Sequence, residues 1–111
     1  MTRHGRLRML RLEWSVTYSA DRQMVTCVRR SDGYTETIPT LRYNMEMAMA
    51  AWDFSTPEGR ARAAAAAVDV VAEHPNELVR DPYLVEISDR CRVETDSLRT
   101  LCAMIRQAAR T

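Results

Sequence analysis

Lysine is absent from this chain, so all sixteen of its basic side chains are arginine. Every cation is therefore a guanidinium, permanently charged and able to fork onto a carboxylate or a phosphate. Genome base composition accounts for this bias as readily as a recognition role does. Glycine is scarce too: Gly5, Gly33 and Gly59 stand far apart, which leaves no glycine-rich phosphate cradle. The three cysteines, Cys27, Cys91 and Cys102, lack C-x-x-C spacing and read as reduced thiols. With only His4 and His74 beside them, they form no zinc-ligand pattern. Neither histidine sits in a nucleophile elbow. No Asp-x-Asp string is present, and Glu94 and Asp96 fall at a helix start, where capping and the helix dipole already account for them. No apolar run approaches the roughly 20 residues of a membrane span, and no signal-peptide pattern opens the chain. These absences predict a cytoplasmic protein with no membrane association, no metal, no cofactor and no autonomous catalytic activity.

What is present suits a folded chain. At 111 residues, 46% hydrophobic and 28% charged, the composition fits one small domain spanning 1–111 with a modest core. The net charge of +1 conceals an asymmetry. Residues 1–40 carry seven arginines against four acids, and residues 41–111 carry nine against eleven.

Hydrophobic periodicity divides the chain at about residue 39. Leu10, Leu12, Trp14, Val16 and Tyr18 alternate with polar residues, the pattern of a strand with one buried face. A polar turn at Ser19 to Arg22 leads to a second strand, Met24 to Arg29. Ser31-Asp32-Gly33 then forms a hairpin signal before Tyr34 to Ile38. From Leu41 to Phe54 apolar residues recur on two sides of a helix, with Arg42, Glu46 and Asp53 as its polar edge. Such a helix belongs between two layers. Thr56, Pro57 and the Ser55-to-Glu58 capping-box spacing start another helix, whose alanines at Ala63 to Ala67 make a packing surface. Pro75 breaks it near His74. A short turn at Asn76 to Arg80, a helix opened by Asp81-Pro82, and a last helix from Thr95 or Asp96 to Ala109 complete the expectation. The fold class is α+β: an N-terminal three-stranded antiparallel β-meander over 1–39, then a bundle of about four helices over 40–111.

Two strings carry a more specific signal: Asp53-Phe54-Ser55-Thr56-Pro57-Glu58-Gly59-Arg60, and Arg80-Asp81-Pro82-Tyr83 running on to Arg90-Cys91-Arg92-Val93, with Leu98 anchoring a final helix. In this order, residues from about 41 to 105 resemble the helical C-terminal subdomain of the RNA-polymerase region of bacterial-type DNA primases. The departure is Arg92, where that family commonly has glycine to end the helix in a left-handed conformation. The resemblance implies a DNA-replication module without the family's metal-binding catalytic carboxylates. Such a module is a subunit of a split primase, or an accessory that docks on primase or helicase components or on single-stranded DNA.

For nucleic acid the candidate contacts are Arg3, Arg6, Arg8 and Arg11 in an arm without an acid before Glu13, extended by Arg29 and Arg30. A solvated terminus is the plainer account of the arm. Trp14 and Tyr18 read as core residues rather than stacking platforms. The alternative from another class is a structural or assembly protein of phage or plasmid origin that forms an oligomer and ignores nucleic acid. A helix-turn-helix regulator built on the last two helices fares worse, because the acidic stretch from Asp89 to Asp96 repels phosphate.

Overall fold

The structure, a computed structural model, describes residues 13–110. Three strands come first: β1 (Trp14–Tyr18), β2 (Met24–Arg29) and β3 (Thr35–Pro39), antiparallel and in sequence order. Four helices follow: α1 (Thr40–Ala50), α2 (Pro57–Ala72), α3 (Glu77–Cys91) and α4 (Thr95–Ala109). The expected α+β meander and bundle is the architecture found. β1 begins at Trp14; Leu10 to Leu12 of the expected strand lie outside the described residues.

Register follows from alternation. Trp14, Val16 and Tyr18 pair with Arg29, Cys27 and Val25, which puts Trp14, Val16, Tyr18, Val25 and Cys27 on one face. The other face carries Ser15, Thr17, Thr26, Thr35 and Thr37, with Thr26 and Thr37 hydroxyls 3.1 Å apart. The β2–β3 turn is closed by Gly33 at φ 75°, with the Asp32 carboxylate accepting from the Tyr34 amide at 3.0 Å.

Helix α1 leaves β3 without a loop. Thr40 is its first residue rather than its cap: the hydroxyl donates to the Arg22 carbonyl at 2.7 Å and the amide to the Gln23 carbonyl at 2.9 Å. Both bonds pin the helix start to the β1–β2 turn. Tyr43 and Met47 pack on the sheet core of Trp14, Val25 and Cys27, while Met45 and Met49 enter the main core with Val68, Val71, Ile87 and Cys91. The two apolar sides predicted for this helix are thus used by the two layers. Helix α2 packs against all three other helices. Its buried Ala63, Ala64 and Ala67 present no bulk beyond Cβ, so neighbouring backbones approach closely.

The α1–α2 junction explains the first string. The Asp53 carboxylate accepts from the Ser55 amide at 2.9 Å, the Thr56 hydroxyl from the Gly59 amide at 3.0 Å, and Arg60 Nη1 donates to the Phe54 carbonyl at 3.1 Å. Thr56 is the cap and Pro57 the first helical residue. Gly59 is required by proximity: a Cβ there would lie 1.7 Å from the Asp53 carbonyl oxygen.

Helix α3 differs from expectation, because it is one helix and not a turn followed by a helix opened at Pro82. The Asn76 side chain caps it, accepting from the Leu78 amide at 2.9 Å, and Pro82 sits inside. Proline removes the N–H that would reach the Leu78 carbonyl, and Leu78 is 84% exposed, so water has access to that edge. At the other end Arg92 takes the left-handed conformation (φ 56°, ψ 48°) that glycine takes most easily. The turn is tight despite the side chain. Val93 N–H donates to the Ser88 carbonyl at 3.2 Å, and the Ser88 hydroxyl donates to the Val93 carbonyl.

Two substitutions test these junctions by urea denaturation. Gly59→Ala is expected to destabilise by about 3 kcal/mol, since backbone must move to admit the methyl. Arg92→Gly is expected to stabilise by about 0.5–1 kcal/mol through relief of left-handed strain, partly offset by glycine's entropy.

Candidate functional site

The most distinctive polar feature lies between α1 and α3. Glu46, expected on the polar edge of its helix, is 0% exposed. Arg90 Nη1 donates to its Oε1 at 2.5 Å, and Arg42 Nη1 reaches the same oxygen at 3.4 Å. Arg42 also forks onto Glu86 with two bonds of 2.7 Å, and Arg90 lies 3.6 Å from Glu86. Arg42 and Glu46 are one turn apart on α1, as Glu86 and Arg90 are on α3, so the cross-helix pairs alternate in sign. The set is neutral. The Arg42 guanidinium also lies 5.1 Å from the centre of the Tyr83 ring, and its bonds to Glu86 raise its pKa further above the ordinary arginine value. Four residues of the second string region thereby find a purpose: Tyr83, Glu86 and Arg90 grip α1, and Arg80 Nη1 donates to the His74 carbonyl at 2.7 Å.

A groove of about 370 Å³ runs between α3 and α4, with Arg80, Asp81, Leu84, Arg99, Cys102 and Arg106 along it. Arg99 forks onto Asp81 at 2.8 and 3.0 Å and reaches Asp96 at 3.1 Å. The Arg99 bond holds the Asp81 carboxyl below its ordinary value. Arg106 Nη1 donates to the Ala72 carbonyl at 2.7 Å and to the His74 carbonyl at 3.2 Å. The negative end of α2 is thus covered by two guanidinia. On the same two helices Leu78 and Met104, 63% exposed, present apolar surface to solvent.

Of the residues expected to meet nucleic acid, Arg3, Arg6, Arg8 and Arg11 lie outside the described residues. Arg30 is exposed, and Arg29 is engaged. Arg29 forks onto Asp32 at 2.9 and 2.7 Å and lies 5.1 Å from the Tyr34 ring centre and 5.6 Å from that of Trp14. The Arg29 guanidinium and the Tyr34 amide hold the Asp32 carboxyl at about 2. Trp14 is buried, as expected, whereas Tyr18 is partly exposed and carries the Arg22 guanidinium 4.5 Å above its ring.

The three thiols are buried and none is in a disulfide, and burial raises the pKa of Cys91 above its ordinary value. Among the described residues no group of three or more His, Cys, Asp or Glu is placed to hold a metal ion. No helix among them is long and apolar enough to cross a membrane.

Comparison with protein families gives a match to the DnaB-helicase binding domain of primase over residues 41–96, just over half of the chain. The chain belongs to that family. Comparisons with curated proteins and with solved structures return no match. The expected kinship with primase therefore holds as a primase-related domain, and the family is defined by binding to another protein. The matched segment starts at Leu41, at the head of α1, and ends at Asp96, in the first turn of α4. It contains every member of the Arg42–Glu46–Glu86–Arg90 set and both sequence strings.

Glu46→Gln is expected to cost about 3 kcal/mol in urea denaturation, because it removes the anion nearest to Arg90 and leaves Glu86 as the one carboxylate for both arginines of the set. A carbon-detected NMR titration should place the Asp32 carboxyl at about 2. Its folded pKa is depressed, so its contribution to stability is present above the ordinary carboxyl value and is lost as pH falls towards about 2.

Proposed function

We propose that this chain is a replication module that docks on the replicative helicase through its helical bundle. The observation that carries the reading is the family match over residues 41–96, the segment that the part-buried ion set braces. A braced bundle suits docking, since a surface ordered before binding pays less entropy on association. Within this reading the matched segment corresponds to the helical subdomain that closes the RNA-polymerase region of primase. The carboxylates for phosphoryl transfer then come from another module, and this one acts without chemistry of its own.

Single-stranded DNA is the proposed second contact, at the basic front of Arg3, Arg6, Arg8 and Arg11 with Arg30. Arg29, already paired with Asp32, adds less to it. Such binding is electrostatic and falls steeply with salt.

Size-exclusion chromatography of the full chain with a purified hexameric replicative helicase tests the main reading. Co-elution, lost on unfolding the bundle, is the expected result. A chain that elutes alone at micromolar concentration contradicts it, and a stable oligomer that ignores both helicase and oligonucleotide favours the assembly alternative instead.

A further inference from the structure

We infer that the groove between α3 and α4 is a docking site for an acidic segment of the partner protein, with Arg80 and Arg106 as its anion-binding pair. The inference rests on the helicase-docking reading for the partner's identity, but its physical basis is separate. Four arginines of this fold are neutralised where they stand: Arg29 by Asp32, Arg42 by Glu86, Arg90 by Glu46, and Arg99 by Asp81. Arg80 and Arg106 are the exceptions in the groove. Each spends one nitrogen on backbone carbonyls, and both bond the same oxygen, that of His74, at 2.7 and 3.2 Å. Among the described residues neither forms an ion pair with a carboxylate.

Two part-buried guanidinia are therefore held side by side with no carboxylate paired to either and their remaining N–H groups available. Their rotamers are fixed before any ligand arrives, which lowers the entropy lost on binding. Carboxylates suit such a pair, because each fork accepts two parallel bonds. Leu84 and Cys102 add an apolar floor, and about 370 Å³ is room for a side chain and its neighbours. The groove continues past Arg80 and Arg106 to Gln107 and Arg110, extending the positive side. Glu77 and Asp81 on the α3 side disfavour a phosphodiester backbone, which carries a charge at every step, more than a peptide that can place its carboxylates selectively. An acidic peptide with an apolar residue between its carboxylates is the occupant these features select.

The test uses the full chain and a fluorescein-labelled peptide, Glu-Glu-Leu-Glu-Glu, followed by anisotropy beside its all-Gln analogue and a labelled oligothymidylate. The Glu peptide should bind and the Gln analogue should not. Arg106→Gln is expected to weaken peptide binding about tenfold, the loss of one charge-assisted bond. Because Arg106 also covers the end of α2, Ala103→Gln is the second variant. Ala103 is an exposed groove residue on α4, and glutamine there should block the groove while leaving the melting temperature unchanged. Equal binding of the two peptides, wild-type affinity in both variants, or preference for oligothymidylate through the same residues overturns the inference. Helicase co-elution separates the two readings. Helicase binding that survives both variants refutes the groove and leaves helicase docking intact, whereas peptide binding without helicase binding supports the groove and refutes the helicase as partner.

Discussion

The alternating set of Arg42, Glu46, Glu86 and Arg90 is the constraint on which the bundle's geometry depends. Helix α1 has already given one side to the sheet through Tyr43 and Met47, so only a narrow seam remains to fix it against α3. A carboxylate that is 0% exposed is costly unless it is paired, and Glu46 is paired across that seam. The gain is one of specificity as much as stability. Apolar contacts at Met45 and Met49 tolerate sliding, whereas two opposed charge pairs fit in one register only, and that register orients α3 and hence the groove it forms with α4.

The absence of lysine takes on structural meaning in this light. Guanidinia here act as brackets between elements: Arg60 to the Phe54 carbonyl, Arg80 and Arg106 to the end of α2, Arg42 from α1 to Glu86 on α3, and Arg90 from α3 to Glu46 on α1. A planar fork can hold a carbonyl or a carboxylate and still present further N–H groups, which a single ammonium does with less geometric control. Side chains that brace the fold are in this way also able to meet a partner.

How much of this the sequence displays depends on distance along the chain. Strand alternation at Trp14 to Tyr18 and the cap and proline at Thr56-Pro57 are local patterns that appear where expected, and the two-sided helix from Leu41 does too, though it ends at Ala50 and not at Phe54. Local rules also misled. Pro82 reads as a helix start, but Asn76 supplies a better cap six residues earlier, and water at the exposed edge makes an interior proline tolerable. Arg92 shows the reverse, a residue without glycine's freedom held in glycine's conformation by the Ser88 turn. Glu46 looked like a surface residue because its burial depends on Arg90, which is 44 positions away. The groove was invisible for the same reason. Positive charge is dense in sequence among the arginines of the front, whereas Arg80 and Arg106 become a pair only after α2, α3 and α4 converge on the His74 carbonyl.

Family membership and geometry meet in the segment from α1 to the start of α4. In the proposed docking, α3 of this segment and the adjoining α4 form a pre-ordered surface towards the helicase, with α1 and the ion set as its brace. Hydrogen–deuterium exchange of the full chain, with and without a saturating hexameric replicative helicase, examines that most directly. The account predicts added protection at α3 and α4 along the groove, with α1 already protected in the free chain and unchanged on binding. Protection confined to the sheet, or a free chain in which α1 exchanges as fast as its loops, would contradict it.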